Sequence, residues 1–310
     1  MHRTLESLIP KAHMLLTGAL VFASLAFFMQ PAAARAARPV APAPETRLGA
    51  FQVARLAALR PEPLDEFGWA VALSGDTAAV GAHNADPDLG QGAIRGAGAV
   101  DVFARSTGAW AFQSRLTARN AAAGDTFGAS VTVDGGWLAV GAPGVDVEEQ
   151  KDAGAVYIFR REGAGWKQQA RLLAPDSAKE DSFGGSLALQ GDTLVVGAPG
   201  KDLGFLVDAG AAYVFVLRGT SWDLKSRLLA PDPSLGANFG SAVALSGPRA
   251  VVGALEANPL GERGAGAAYV FTGRGNAWRL EARLAPEPAR PGDFFGQAVA
   301  IDGETVVVGA

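Results

Sequence analysis

The chain has 310 residues, of which 49% are hydrophobic and 8% aromatic, and its formal net charge is −4. Because the chain is acidic and shows no stripe of basic residues, we expect no nucleic acid among its partners. It contains no cysteine, so its stability does not depend on disulfides and must come from strand pairing and packing.

The N-terminal residues have the order of a secretory signal peptide. Arg3 and Lys11 precede the uncharged stretch 14–30, and small residues then offer cleavage sites after Ala34 or Ala36. The alternative is an uncleaved membrane anchor, but the apolar stretch is slightly short for a span. We therefore predict that the segment is cleaved and that the chain is exported.

Three segments are predicted along the chain. A signal peptide occupies residues 1–34, a Pro- and Ala-rich linker residues 35–49, and a repeat region residues 50–310. No other stretch is long and apolar enough to span a bilayer. The mature chain is expected to be secreted, or held at the cell surface, without membrane contact after cleavage.

Four sequence markers recur in register through the repeat region. A Phe-Gly pair followed by an apolar run recurs with steps of 60, 56, 56 and 56 residues, at Phe67, Phe127, Phe183, Phe239 and Phe295. Val-Gly-Ala, a Gly-Ala-x-Tyr-Val-Phe-like segment and a Trp followed five residues later by Arg-Leu recur in step. Self-similarity at a period near 50 residues predicts a repeat architecture.

Each period predicts four short antiparallel strands. "FGGSLAL", starting at Phe183, alternates large and small residues as a strand does. A tight turn at Gly191 leads to "TLVVGA", an apolar run typical of a strand buried on both faces. After a long loop come "AAYVFVL" and then "WDLKSRLLA", which alternates apolar with charged residues and is predicted at an exposed edge. A small apolar first strand and a polar last strand are typical of a propeller blade.

These motifs resemble the FG-GAP repeat of bacterial secreted and surface proteins, which is related to the propeller of integrin α subunits. The resemblance covers roughly residues 50–310 and implies an all-β fold, a β-propeller of four-stranded antiparallel blades. Four complete repeats are expected, with one outer strand before them and one inner hairpin after them. Either these fragments combine into a three-stranded fifth blade that closes the ring, or the chain is a fragment of a larger propeller, commonly seven-bladed in this family.

The sequence shows no constellation for catalysis, so we expect no enzyme. Histidine occurs only at His2, His13 and His83, and the first two leave with the signal peptide, so no multi-histidine metal site is available. A Gly-x-Ser-x-Gly elbow is absent, and Ser130 and Ser186 are predicted to be strand residues of the repeat. The alternatives are a polysaccharide-acting hydrolase or lyase on a propeller scaffold, and a non-functional truncated repeat product.

Integrin-type repeats often carry an Asp-x-Asp/Asn-x-Asp-Gly loop between their first two strands, which gathers oxygen ligands around calcium. The corresponding turns here, such as "QGDT" at 190–193, are too short and hold at most one or two carboxylates. The resemblance therefore does not imply a calcium site in this chain, and we expect neither a metal nor a cofactor. The acidic loops 83–88 and 145–152 are left as places for weak cation binding.

An aspartate precedes the first strand in most repeats. It lies two residues before the phenylalanine at Asp65, Asp125 and Asp181, and Asp293 precedes Phe294. The short carboxylate side chain predicts an Asx-type turn that starts the inner strand.

Propeller geometry places the loops between second and third strands at the same end as the loops between blades. Both sets are long and acidic, whereas the other end carries tight hairpins. Function is therefore expected at the long-loop end, as binding or adhesion of an extracellular protein or a glycan by a monomer. The candidate binding residues are His83, Asn84, Asp86, Asp88, Asp146, Glu148, Asp202, Glu256 and Asn258.

Overall fold

The computed structural model describes residues 54–90, 92–258 and 261–310, and its elements in these ranges are eighteen β-strands. They form four four-stranded antiparallel sheets and one two-stranded sheet, and in each sheet the strands stand in chain order. This arrangement confirms the predicted all-β fold of four-stranded blades. The predicted signal peptide and linker, 1–34 and 35–49, lie outside the described residues.

Each blade consists of four consecutive strands. Blade 1 contains β1 (Val71–Ser74), β2 (Thr77–Ala82), β3 (Ala99–Ser106) and β4 (Ala109–Leu116). Blade 2 contains β5 (Ser130–Asp134), β6 (Trp137–Ala142), β7 (Ala155–Glu162) and β8 (Gly165–Leu172). Blade 3 contains β9 (Ser186–Gln190), β10 (Thr193–Ala198), β11 (Ala211–Arg218) and β12 (Ser221–Leu228). Blade 4 contains β13 (Phe239–Ser246), β14 (Arg249–Ala254), β15 (Ala267–Arg274) and β16 (Ala277–Leu284). The two-stranded sheet contains β17 (Ala298–Asp302) and β18 (Thr305–Gly309).

Burial in a blade is greatest in its two middle strands, as β10 and β11 of blade 3 show. All residues of β10 after Thr193 are buried, whereas in β12 only Trp222 and Leu228 are buried and the other residues are partly or fully exposed. Gly191, in the turn between β9 and β10, has a φ of +59°, which glycine adopts without the steric cost of a Cβ. The β-branched run thus forms the blade interior, and the polar strand lies at the edge.

The hydrophobic core lies between neighbouring blades. Val131 and Val133 of β5 and Leu138 of β6 pack with Val100 and Val102 of β3 in one buried cluster. Similar clusters join blade 2 to blade 3, and blade 3 to blade 4. Each blade is therefore stabilised by its neighbours as well as by its own strand pairing.

The Phe-Gly motif forms a close backbone contact between blades. The Phe183 N–H donates to the carbonyl oxygen of Ala153 at 3.0 Å, and the phenyl ring is fully buried. Gly184 has a φ of +93°, and a Cβ placed on it would lie 2.7 Å from the carbonyl oxygen of Ala155 in blade 2. Ser130 adds a hydrogen bond from its Oγ to the carbonyl oxygen of Gly184, at 2.6 Å. The backbones of blades 2 and 3 lie so close at this junction that the position of Gly184 has no room for a side chain and requires glycine.

The two ends of the described array have no neighbouring blade. Val71 is 46% exposed and Leu73 39%, whereas their counterparts in blade 2, Val131 and Val133, are 9% and 6% exposed. At the other end, β17 and β18 pair only with each other, and residues 54–60 form no strand. Within the described residues, therefore, the three-stranded blade that would close the ring is not formed.

Candidate binding surface at the long-loop end

The two sets of long loops are joined by backbone hydrogen bonds. The N–H of Glu180, in the loop that precedes β9, donates to the carbonyl oxygen of Lys151, in the β6–β7 loop, at 2.8 Å. The N–H of Ser182 donates to the carbonyl oxygen of Asp152 at 3.1 Å. Equivalent bonds join these loops at the other three junctions. The long-loop end is therefore a continuous surface whose loops hold each other in place.

Four of the nine candidate residues stand at the same position of successive repeats, and each closes its own loop. Their side-chain oxygens accept a backbone N–H, in the pairs Asp86 with Gly96 (2.7 Å), Asp146 with Asp152 (2.9 Å), Asp202 with Asp208 (2.9 Å) and Asn258 with Gly264 (2.8 Å). All four side chains remain on the surface. A structural role in shaping the loops accounts for this recurrence.

The other five candidates are distributed unevenly. Asp88 Oδ1 accepts the backbone N–H groups of Gly90 and Gly92, and Asn84 donates to a backbone oxygen in the preceding loop. Glu148 and Glu256 are exposed, and His83 contacts other side chains. The nine residues thus lie in four loops on four blades: four in blade 1, two each in blades 2 and 4, and one in blade 3.

His83 lies between an indole ring and a carboxylate. Its ring centroid is 4.4 Å from that of Trp69, with the planes inclined by 46°, and its Nε2 lies 3.4 Å from Oε2 of Glu66. Burial lowers the pKa of His83 below its ordinary value of 6.5, although the charge of Glu66 opposes this shift. The imidazole is therefore predominantly neutral at pH 7.

A second cluster, which the sequence did not reveal, surrounds a buried lysine. Lys201 Nζ lies 2.9 Å from Asp181 Oδ2 and also donates to the backbone oxygen of Asp176. The Asp176 carboxylate accepts the Tyr213 hydroxyl at 2.8 Å and lies 2.6 Å from a guanidinium nitrogen of Arg227. The ammonium and guanidinium groups thus neutralise two carboxylates beneath the loops.

The pKa values of the two carboxylates in this cluster are shifted in opposite directions. Burial raises the pKa of Asp181 even though Lys201 is bonded to it. Burial would also raise the pKa of Asp176, but the Tyr213 hydroxyl, Lys201 and Arg227 outweigh that effect and lower it. Tyr213, Lys201 and Arg227 thus stabilise the charged form of Asp176, whereas burial acts against the charged form of Asp181.

Parts of this cluster recur, which points to a structural role. In blade 4, Asp232 accepts the Tyr269 hydroxyl at 2.9 Å and pairs with Arg283 at 2.9 Å. In blade 1 an aspartate replaces the tyrosine, and Asp101, fully buried, pairs with Arg115 at 2.9 Å. The recurring Tyr and Arg were visible in the sequence, but their partners come from a loop many residues away.

The aspartates before the first strands close turns, but not the predicted Asx-type turn, in which the carboxylate accepts a backbone N–H two residues later. Each accepts, through Oδ2, the backbone N–H three residues earlier, in the pairs Asp65 with Glu62, Asp125 with Ala122, Asp181 with Ala178 and Asp293 with Arg290. Among the described residues, no group of three or more His, Cys, Asp and Glu side chains is arranged to hold a metal ion. Nor does this part of the chain contain a helix long and apolar enough to cross a membrane.

The family model of the FG-GAP repeat matches five segments of the chain, 51–103, 110–159, 166–215, 222–271 and 278–310. The chain belongs to the FG-GAP repeat family. Each internal FG-GAP segment starts in the outer strand of one blade and ends in the third strand of the next, as 110–159 does from β4 to β7. One FG-GAP unit therefore links two blades covalently. No curated protein matches the chain.

Proposed function

We propose that this FG-GAP repeat chain is a secreted, non-enzymatic scaffold that binds an extracellular protein or a glycan through its long-loop end. The observation that carries the proposal is the mutual bonding of the two loop sets, which makes a surface from several blades at once. A rigid framework that presents loops of varied sequence is a common arrangement for binding. Fold alone does not define the ligand, so the ligand class rests on the surface chemistry.

The use of the buried charged groups favours binding over catalysis. Lys201, Asp181 and Asp176 are engaged with one another, and the Tyr–Asp–Arg arrangement recurs in blade 4. Catalytic acids and bases are expected to differ from the repeat pattern and to face a cleft. The rival function, hydrolysis or elimination on a polysaccharide, is tested by incubating the protein with polysaccharides and measuring new reducing ends or unsaturated products; turnover would overturn the proposal.

Export is tested by N-terminal sequencing of protein expressed with its full leader. The basic, apolar and Ala-rich order predicts an extracellular product that begins at Arg35 or Ala37. Recovery of the chain in a membrane fraction with Met1 intact would contradict this part of the proposal.

Binding through the long-loop end is tested with two charge-matched variants. Glu148→Gln with Glu256→Gln removes two exposed carboxylates from the long-loop end, and Asp192→Asn with Glu304→Gln removes two from the hairpin end. Affinity for immobilised polysaccharides and for purified extracellular proteins is measured by biolayer interferometry. We expect the first variant to alter binding and the second to leave it unchanged. Equal effects of the two variants would place the binding surface elsewhere.

A further inference from the structure

Blade 1 departs from the other blades at two positions that meet in space. The residue after Phe-Gly is Trp69 in the first repeat, and Ala129, Gly185, Ser241 and Gln297 in the later ones. The residue after Val-Gly-Ala is His83 in the first repeat, and Pro143, Pro199 and Leu255 in those that follow. The two positions are neighbours in blade 3 also, where a Cβ on Gly185 would lie 3.3 Å from Pro199 Cδ. Only the first repeat fills this pair with two aromatic rings.

The resulting cluster has one free aromatic face beside a carboxylate. Trp69 is 61% exposed although it contacts His83, and the Glu66 side chain is 45% exposed. The imidazole is mostly covered, at 17% exposure, and reaches Glu66 with Nε2. His83 therefore holds both the indole and the carboxylate in position while leaving them accessible to a ligand.

This exposure is not only a consequence of the open side of blade 1. Ala129, Gly185 and Ser241 occupy the Trp69 position at junctions that do have a preceding blade, and they are half-buried, while Gln297 is exposed. By contrast, the Val71 position becomes buried when a blade precedes it, as Val131 shows. The Trp69 position thus reaches the surface of the long-loop end in either case.

The accessible groups of the cluster are an indole face and a carboxylate, which offer a ligand a stacking surface and a hydrogen-bond acceptor. At two other tryptophans the chain places its own guanidinium over the indole, with Arg105 5.4 Å from the Trp110 ring and Arg160 5.3 Å from the Trp137 ring. At Trp69 the group that contacts both the indole and the carboxylate is the imidazole of His83. The flat apolar face of Trp69 and the hydrogen-bond acceptor positions of Glu66 that His83 does not occupy are therefore available to a ligand.

We propose that Trp69, Glu66 and His83 form a shallow subsite for a neutral saccharide. A pyranose ring would stack its C–H face on the free face of Trp69 and donate a hydroxyl hydrogen bond to Glu66, with His83 as the positioning residue. An anionic saccharide is disfavoured by the Glu66 carboxylate and by the net charge of the chain. This inference rests on the proposed binding function and names the ligand class for it.

The test is isothermal titration of the mature chain with neutral and acidic oligosaccharides, together with three variants. Trp69→Ala should weaken binding of a neutral oligosaccharide by about tenfold or more, the size expected when a well-placed aromatic contact is lost. Glu66→Gln should weaken it less, because the amide oxygen still accepts a hydrogen bond. Phe205→Ala is the matched control: this aromatic side chain of the β10–β11 loop is fully exposed, and its removal should leave the affinity unchanged.

Four results would overturn the inference, and the first three of them leave the proposed function standing. Neutral saccharide binding that Trp69→Ala leaves intact places the subsite elsewhere, and so does an equal loss with Phe205→Ala; the scaffold function stands in both cases. Binding of a protein ligand without any saccharide also rejects the subsite and keeps the scaffold. Absence of any ligand among the extracellular proteins and polysaccharides tested above rejects both. Near-UV circular dichroism of each variant verifies that the fold is retained.

Discussion

Gly184 and Gly68 occupy the same Phe-Gly motif with nearly the same backbone, but only one of them contacts a neighbouring blade. Their φ angles are +93° and +97°. A Cβ on Gly184 would lie 2.7 Å from the Ala155 carbonyl oxygen, whereas a Cβ on Gly68 would meet nothing within 4 Å. Alanine at each position therefore separates backbone strain from steric overlap between blades.

The expected loss of stability in each alanine variant is the sum of backbone strain and steric overlap between blades. Forcing a residue with a Cβ into a sparsely populated φ region costs about 1–3 kcal/mol, and this term applies to both Gly184→Ala and Gly68→Ala. Overpacking against backbone that cannot move away adds roughly 1–3 kcal/mol at Gly184 alone. We expect Gly184→Ala to be the more destabilising variant by that second amount, or about 2–4 °C in Tm for each kcal/mol in a chain of this size.

The measurement is urea unfolding followed by tryptophan fluorescence and far-UV circular dichroism, with m compared between variants. Gly191→Ala is a further control inside blade 3, because Gly191 has a positive φ of +59° and open space around it. Equal midpoint shifts for Gly184→Ala and Gly68→Ala would refute the reasoning, since they would mean that contact between blades contributes nothing at this junction. Different midpoints by the two probes would indicate that blades unfold separately.

Three further outcomes are expected. Lys201→Ala should lower the free energy of unfolding in urea by about 3–5 kcal/mol, because it leaves Asp181 buried without its partner. Adding Asp181→Ala should restore most of that stability, since blade 4 has alanine at both positions. A double variant no more stable than Lys201→Ala would contradict this. The pKa of His83, measured by NMR, should lie below 6.5, and Glu66→Gln should lower the His83 pKa further. Because the folded-state pKa is below the unfolded one, the folded state should lose stability as pH falls from above 6.5 through the folded pKa. A His83 pKa above 6.5 would refute the claim that burial dominates. EDTA should leave Tm unchanged, whereas a calcium ion bound at a hundredfold excess over Kd would add about 2.7 kcal/mol.

The sequence by itself determined the repeat, the blade and the turns. Strand periodicity, the apolar run that ends at Ala198 and the turn at Gly191 are local properties of the sequence, and so they could be predicted without knowledge of the fold. Turns at Asp125 and Asp181 were predicted for the same reason, but their carboxylates accept the N–H three residues earlier and not the later N–H of an Asx-type turn. Family membership follows from the same recurring residues, which the FG-GAP repeat model matches.

The candidate site was predicted less completely. Asp86 and Asp146 were chosen as exposed acidic residues, but each closes its own loop through a backbone N–H six or ten residues away. The buried position of Lys201 was not predicted, because its partners Asp176 and Asp181 approach only when the loop after β10 folds against the loop before β9. Contacts between separate loops depend on three-dimensional placement that local patterning does not encode.

Only the tertiary structure decided which copies of a repeated motif are equivalent. Gly68 and Gly184 are the same in sequence, yet one is exposed and the other is enclosed by blade 2. Trp69 looked like an ordinary residue of a first strand until the fold placed it against His83, beside Glu66. The physical reason is that a repeat specifies its own strands and turns through local interactions, whereas burial, charge pairing and exposure depend on which neighbour the fold brings against it.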